Sequence, residues 1–344
     1  MKLRTCLAML ATGSLFLSAC GSVGGAGNNS GGEAGAGSPD NKTMVTVVKV
    51  KGIAWFDRMD EGVVEWGKEN GYDTRTEGGD DVSPEKQIQV IQDLIAQKPA
   101  AITVVPNSPE ALSAVLAQAK QQGIKVVAHE ATGIQNVDID IEAFDNVSYG
   151  EQIMENIGQC TGGEGKYVQF VGGLTAKTHM EWVEAAYKYQ QEKFPNMQRV
   201  ETPIESTDNE TAAYEKAKEI LGKYPDIKAF QGSAGNDVPG IARAVEEAGL
   251  QDKVCVMGTS IPSAASKYLA NGSIDKIFFW DPALAGKAQL EIAKRLANGE
   301  TIETGTDLGI EGYRSLKKLE GYDNVWVGDA SIEADAEKAK QFKF

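Results

Sequence analysis

The stretch Met44 to Tyr72, MVTVVKVKGIAWFDRMDEGVVEWGKENGY, sets a strand, a tight turn and a helix end to end, and the rest of the chain repeats that unit. Val45, Val47, Val48 and Val50 are β-branched and closely spaced, as in a strand buried on both faces, and Asn70-Gly71 stops the helix that follows. Trp55, Phe56 and Asp57 therefore fall at the carboxyl end of a first parallel strand, the rim where open α/β sheets bind ligands.

A short strand at Tyr72 to Glu77 leads to a helix from Ser83, with Pro84 at its first position and Ile88, Ile91 and Ile95 on one face. The apolar strand Ala100 to Val105 ends at Pro106. A helix carrying Leu112, Val115, Leu116 and Ala119 on one face stops at Gly123, and a fourth strand, Ile124 to Ala128, closes on His129 and Glu130. Strand ends thus fall about every 25 residues, the spacing of βα units in a doubly wound sheet. Past Asp138 to Asn146 the rhythm restarts with a helix to Cys160. Strands at Lys166 to Phe170, Val200 to Ile204, Ile227 to Gln231 and Lys253 to Met257 then alternate with helices from Lys177, from Asn209 and from near Asn236. This predicts a second, similar domain. Strand Ile274 to Phe279 and a helix from Pro282 to Asn298 fit better as a return to the first domain. Gly309 to Phe344 adds a short strand, Val325 to Val327, and an alanine-rich last helix. Exchange of chain between domains implies a hinge of several strands.

At the amino end, Lys2 and Arg4, the apolar run Cys6 to Phe16 and Leu17-Ser18-Ala19-Cys20-Gly21 resemble a bacterial lipoprotein signal, in which residues 1–19 are removed and Cys20 carries the lipid. The run is too short for a membrane helix. Residues 20–43 are mostly Gly, Ala, Ser and Asn, a flexible tether with a random-coil reach of roughly 25 Å. The expected protein is exported and bound to the membrane through its lipid. Its 42% hydrophobic and 24% charged residues are those of a globular chain. A net charge of −15 argues against nucleic acid or anionic lipid as a partner. Once Cys6 is removed and Cys20 modified, Cys160 and Cys255 remain. Export permits a disulfide, but Cys255 sits in the strand-like Val254-Cys255-Val256-Met257 and is expected to face a core, so two unpaired buried thiols are expected. The cysteines have no metal-ligand spacing, and neither a metal nor a cofactor is expected.

Enzymatic readings find little support. The chain has two histidines, His129 and His179, and no Gly-x-Ser-x-Gly elbow, so an exported hydrolase lacks an evident nucleophile and base. Thr161-Gly162-Gly163-Glu164-Gly165-Lys166 is not a phosphate loop, because Tyr167 follows the lysine and the run precedes a strand. What remains is polar and aromatic residues at strand ends in both halves: Lys49, Trp55, Phe56, Asp57, His129 and Glu130 in the first, and Thr178, His179, Trp182, Asn236, Asp237, Trp280 and Asp281 in the second. Aromatic faces against C–H surfaces, with carboxylates, amides and a lysine for hydroxyls, suit a sugar-sized polyol. Trp66 and Trp182, on helices, read individually as core.

The lipoprotein-like start, the two βα domains and the run Gly258-Thr259-Ser260-Ile261-Pro262, Lys267-Tyr268-Leu269-Ala270-Asn271-Gly272-Ser273-Ile274, Phe279-Trp280-Asp281-Pro282 and Gly286 resemble the sugar-binding subunits of bacterial ABC importers. Within them the chain is most similar to the branch holding rhamnose-binding and autoinducer-2-binding proteins. The resemblance implies an α/β, type 1 periplasmic-binding fold: two doubly wound parallel-sheet lobes joined by a three-strand hinge, with crossings near Phe144, Trp280 and Thr304. Residues 44–144 plus 281–304 would form the N-terminal lobe and 145–280 plus 305–344 the C-terminal lobe. It also implies a monomer that captures a monosaccharide or related polyol between the lobes and hands it to an importer permease with its ATPase. Carried over residue by residue, the autoinducer-2 receptor's lysine falls on Lys49, its first aspartate on Glu130, its Asp-Gln pair on Thr178-His179 and its Pro-x-Ala on Ser233-Ala234-Gly235. Only the lysine is kept, which favours a sugar over autoinducer-2. Asp281, Glu130 and Asn236 would serve ring hydroxyls, while Trp55, Phe56 and Trp280 wall the ring. The alternatives are an autoinducer-2 binder and a ligand receptor for a membrane sensor kinase or chemoreceptor.

Overall fold

Thr43–Val47 forms the first strand, β1, buried from Met44 onward. The computed structural model describes residues 41–344, so the signal, Cys20 and nearly all of the tether lie outside the described residues. After β1 come α1 (Ala54–Asn70), β2 (Asp73–Glu77), α2 (Pro84–Gln97), β3 (Ala101–Val104), α3 (Pro109–Gln121), β4 (Lys125–Ala128) and β5 (Ile139–Glu142). The middle of the chain holds α4 (Asn146–Thr161), β6 (Glu164–Val171), α5 (Lys177–Lys193), β7 (Asn196–Arg199), β8 (Ile204–Glu205) and α6 (Glu210–Lys223). It continues with β9 (Ile227–Gly232), α7 (Asp237–Glu247), β10 (Cys255–Thr259), α8 (Pro262–Ala270) and β11 (Lys276–Phe279). The last elements are α9 (Pro282–Ala297), β12 (Lys317–Lys318), β13 (Val325–Val327), β14 (Ile332–Ala334) and α10 (Ala336–Ala339).

These strands build two seven-stranded sheets, one in the order β12-β13-β5-β4-β3-β1-β2, the other β14-β11-β10-β9-β6-β7 with β8 beside β6. Pairing is parallel except where β12 meets β13 and β14 meets β11. Both faces of each sheet are covered by helices, the doubly wound arrangement. Alternation in β1 shows why. Val45 and Val47 pack with Ile91 and Leu94 of α2 and Leu112 and Leu116 of α3, whereas Met44 packs with Met59 and Val63 of α1. Sequence punctuation sets the helix ends: Ser83 and Ser108 accept from backbone N–H groups in the first turns of α2 and α3, each of which begins with proline. A glycine sets one helix pair. A Cβ on Gly62 of α1 would lie 2.1 Å from the carbonyl oxygen of Ala283, so α1 and α9 touch backbone to backbone.

The chain passes between the sheets three times, between Glu142 and Asn146, between Phe279 and Pro282, and between Val327 and Ile332. Three expectations are corrected. β11 pairs with β10 and β14 in the second sheet, so of the strand and helix expected to return to the first domain only α9 does so. Residues 305–344 do not belong wholly to the C-terminal lobe: β13 pairs in parallel with β5, extending the first sheet, and the third crossing lies beyond Val327 rather than near Thr304. The signal for this was weak because β5, whose polar residues alternate with isoleucine, did not read as a strand for β13 to join.

The third correction concerns Cys160 and Cys255, which form a disulfide with a Cα–Cα distance of 6.3 Å. Cys255 is buried in the core as expected, but helix α4 packs over β9 and β10 and brings the exposed Cys160 of its last turn onto it. The bridge spans 95 residues, and closing a loop near 100 residues is worth up to about 4.7 kcal/mol through the unfolded state. Replacing both cysteines by serine should lower stability by about 2–5 kcal/mol, read as a reduced urea midpoint. Midpoints that coincide with and without the bridge would show that the cross-link contributes nothing.

Candidate functional site

Two residues beyond β1, Lys49 reaches Glu130, two residues beyond β4, with Nζ 2.5 Å from Oε2 and both side chains 4% exposed. Amides lock the end of β1 to that of β3. Gln87 donates to the carbonyls of Val48 and Val105 and accepts from Asn107 N–H, while Asn107 Nδ2 donates to Lys49 O at 3.0 Å. Glu130 stands at φ 56°, the left-handed region, a conformation that costs a non-glycine residue about 1–3 kcal/mol. The ion pair and the strand end on which Glu130 sits hold it there.

The second sheet faces this pair with its own strand ends. Ser233 and Gly235 follow β9, Thr259 ends β10, Trp280 follows β11, Asp208 lies between β8 and α6, and His179 stands in the first turn of α5. With Ile53, Trp55 and Phe56 at the start of α1 and Trp182 on α5, they line one narrow cavity with Lys49 and Glu130, with room of about 20 Å³. The walls are largely aromatic. Trp55 from the first lobe meets Trp280 edge to face at 4.6 Å, and Trp280 meets Trp182 at 5.9 Å and Phe144 at 5.2 Å. Gly235 allows this closeness across the cleft, since a Cβ there would press on the Trp55 ring at 3.1 Å.

Hydrogen bonds fix the state of both histidines. Gly172 N–H donates to His179 Nδ1 at 3.1 Å, so the neutral ring carries its proton on Nε2 and presents a donor. His129 does the reverse: its Nδ1 donates to Ile141 O at 2.5 Å, leaving Nε2 as a buried acceptor without a partner, 3.9 Å from Glu130 Oε1. Burial holds both pKa values below the ordinary imidazole value, despite the opposing pull of Glu130 on His129. Asp208 is raised to about 6 by burial, with Lys49 pulling the other way. Ser233 Oγ and Trp280 Nε1, both buried on the wall, likewise have no hydrogen-bond partner among the described residues. Such atoms are costly unless something else satisfies them.

Of the residues expected at the site, the structure brings Lys49, Trp55, Phe56, Glu130, His179, Ser233, Gly235 and Trp280 to one cavity. The others serve elsewhere. Asp57 is exposed and lines a separate hollow with Lys51 and Asp60. His129 stands behind the wall, its ring edge to face with Trp280 at 5.9 Å. Thr178 is buried outside the cavity lining. Asn236 donates to Asp208 O at 2.9 Å, and Asp237 accepts from the N–H groups of Ser233 and Ala234, holding the turn after β9. Asp281 caps α9 by accepting from Ala283 N–H and is gripped by both Nε and Nη2 of Arg58. Asp208, Thr259 and Ile53 enter the lining unannounced, and Trp182, which the sequence offered but which reads individually as core, joins them. Asp208 follows a two-residue strand with almost no sequence pattern, and Trp182 lies on a helix where a tryptophan reads as core.

A polar and aromatic cavity between two sheets, with buried hydrogen-bonding atoms that have no partner among the described residues, defines a binding protein for a small polar solute. The chain belongs to the periplasmic binding protein family: residues 44–301 match the periplasmic binding protein domain. It is a binding protein and not an enzyme. It is 28% identical over 254 residues to the D-xylose-binding periplasmic protein of Haemophilus influenzae, covering 71% of this chain and 72% of that protein. To the D-allose-binding periplasmic protein of Escherichia coli it is 27% identical over 223 residues, covering 60% and 69%. Among solved structures it is similar to LsrB from Clostridium saccharobutylicum in complex with AI-2, with a TM-score of 0.81 at 19% identity over 88% of this chain and all of that one. An ABC transporter solute-binding protein from Clostridium phytofermentas with bound L-rhamnose superposes with a TM-score of 0.81 at 23% identity, covering 88% and 99%.

The Asp208 carboxyl generates a prediction with a definite sign. Its folded pKa of about 6 lies above the ordinary carboxyl value, so between the two the folded state keeps a proton that the unfolded state has lost. Its contribution to stability is therefore most favourable below that window and falls as pH rises through it. Asp208→Asn should raise the melting temperature of the ligand-free protein at pH 7.5 and leave it nearly unchanged at pH 4, measured by calorimetry. A loss of stability at pH 7.5 would contradict this assignment.

Proposed function

We propose that the protein is an extracytoplasmic solute-binding protein that holds a neutral monosaccharide or related polyol between its two lobes and delivers it to an ABC importer. The carrying observation is the cavity wall itself: aromatic rings and the Asp208 carboxyl beside buried Ser233 Oγ and Trp280 Nε1, which have no hydrogen-bond partner among the described residues. Ring hydroxyls would satisfy these groups, and the ring's C–H face would lie on tryptophan. The D-xylose- and D-allose-binding relatives support a sugar.

Charge narrows the ligand. Among the lining residues the cation is Lys49, already paired with Glu130, while Asp208 adds a carboxyl, so a sugar acid or phosphate would meet no spare positive group. Glu130, Asp208 and His179 Nε2–H supply acceptors and a donor for hydroxyls. Asp57, Asn236, Asp237 and Asp281 support the loops around the site in this reading. Autoinducer-2, which the LsrB structure contains, is the second reading, favoured by Lys49.

Ligand contacts from both lobes favour the closed state, which an importer then recognises. Cys20 would anchor the chain to the membrane by lipid; no helix among the described residues is long and apolar enough to cross one. A thermal-shift panel of pentoses, hexoses, deoxyhexoses, polyols, autoinducer-2, sugar acids and sugar phosphates tests the reading. A bound neutral sugar at a hundred times its Kd should stabilise by about 2.7 kcal/mol. A shift with autoinducer-2 alone would install the second reading, and a response confined to sugar acids or phosphates would overturn the charge argument.

A further inference from the structure

The first crossing between the lobes carries acidic groups that the ligand cavity does not use. Asp140 and Glu142 alternate on β5 and so project to the same face, with exposures of 0% and 2%. Neither oxygen of the Asp140 carboxyl has a hydrogen-bond partner among the described residues. Glu142 Oε1 accepts from Ala131 N–H at 2.8 Å and from Thr132 Oγ1 at 3.2 Å. Thr132 accepts from Asn146 Nδ2 at 3.1 Å, and Asn146 Oδ1 accepts from Trp182 Nε1 at 2.8 Å. Trp182 lines the cavity. A continuous set of contacts thus runs from a buried carboxyl pair on the first sheet, through a residue at the start of α4, to the ligand-facing wall of the second lobe.

We infer that the Asp140–Glu142 pair makes closure of the lobes proton-linked, with Asn146 as the positioning residue that ties the pair to Trp182. Two carboxyls buried on one face of a strand cannot both ionise cheaply, so the closed protein keeps protons on the pair that hydrated carboxyls would lose. The groups facing them add no relief. From the loop after β4 come Glu130, held by Lys49, and His129, bonded through Nδ1 to Ile141 O. From α5 comes Glu181, which Asn146 also contacts, with Lys177 at 3.7 Å. The segment after α9 contributes Tyr313, buried and with its hydroxyl unpartnered, and Arg58 neutralises Asp281 at the start of α9. Burial raises both carboxyls, Glu142 to about 7, and Glu130 and Glu181 push the same way.

Opening would separate Asn146, Glu181 and Trp182 from Thr132 and hydrate the crossing, letting the pair return toward the ordinary carboxyl range. Below that range both states are protonated and closure is most favoured. The advantage is lost as pH rises to about 7, where closing must bury the Glu142 charge, by about tenfold in the closing equilibrium for each unit of pKa difference between the states.

This inference rests on the reading of the lobes as closing on a sugar. Small-angle X-ray scattering of the ligand-free protein between pH 5 and 8, repeated with each neutral sugar of the panel, tests it. The wild type should be more compact at pH 5 than at pH 8. The double variant Asp140→Asn/Glu142→Gln should stay compact throughout, and each single substitution should shift the midpoint. Asn146→Ala should break the link between the pair and the wall, seen as a scattering profile whose compactness no longer follows pH. A pH response equal in the wild type and the double variant overturns the inference. If no sugar contracts the protein at any pH, the reading beneath it fails instead.

Discussion

The Lys49–Glu130 ion pair is the constraint on which the site depends. Two charges removed from water cost several kcal/mol each unless they meet in good geometry, and removing one partner strands the other at a cost of about 3–5 kcal/mol. The pair is met at 2.5 Å because β1 and β4 end at the same rim and because Glu130 accepts a left-handed backbone to turn its carboxylate toward Lys49. Gln87 and Asn107 then tie β1 to β3 through their backbones. The first lobe therefore offers a rigid floor of nearly neutral charge, and ligand selection falls to the groups that face it from the second lobe.

Those groups come from five separate connections of the second sheet, and aromatic contacts hold them against the crossings. Phe144 stacks on Tyr149 at 4.1 Å, Tyr149 meets Trp182 at 4.9 Å, and Tyr149 shares a hydrogen bond with Thr259 at 3.0 Å. Trp280, on the second crossing, touches Phe144 on the first and Trp55 on the floor. The ligand wall and the hinge are thus one packed aromatic body, so a change in lobe angle must alter the cavity. Away from it, the Cys160–Cys255 bridge ties α4 to β10 and keeps the second lobe a single moving piece.

The rim of parallel strand ends was legible because β-branched runs and helix stops mark where each strand finishes. That rule alone located Lys49, Trp55, Phe56, Glu130 and Trp280. It failed where the strand was too short to leave a pattern, as with β8 before Asp208, and where polar residues alternate inside the sheet, as in β5. It also cannot separate a ligand contact from a helix cap. Asp281 and Asp237 both stand at strand-to-helix junctions, and both spend their carboxylates on backbone N–H groups. The disulfide was illegible for another reason: its partners lie 95 residues apart, and only the packing of α4 on the sheet brings them together.

The central claim, that a neutral sugar is seated between the lobes against the second-lobe groups, is tested most directly by a crystal structure of the protein with the panel sugar that stabilises it most. The account predicts the ring in the cavity beside Trp280 and Trp182, with hydroxyls on Asp208, Ser233 Oγ and Glu130 and the Lys49–Glu130 pair intact. A sugar bound outside the cavity, or within it with Asp208 and Ser233 untouched, would contradict it.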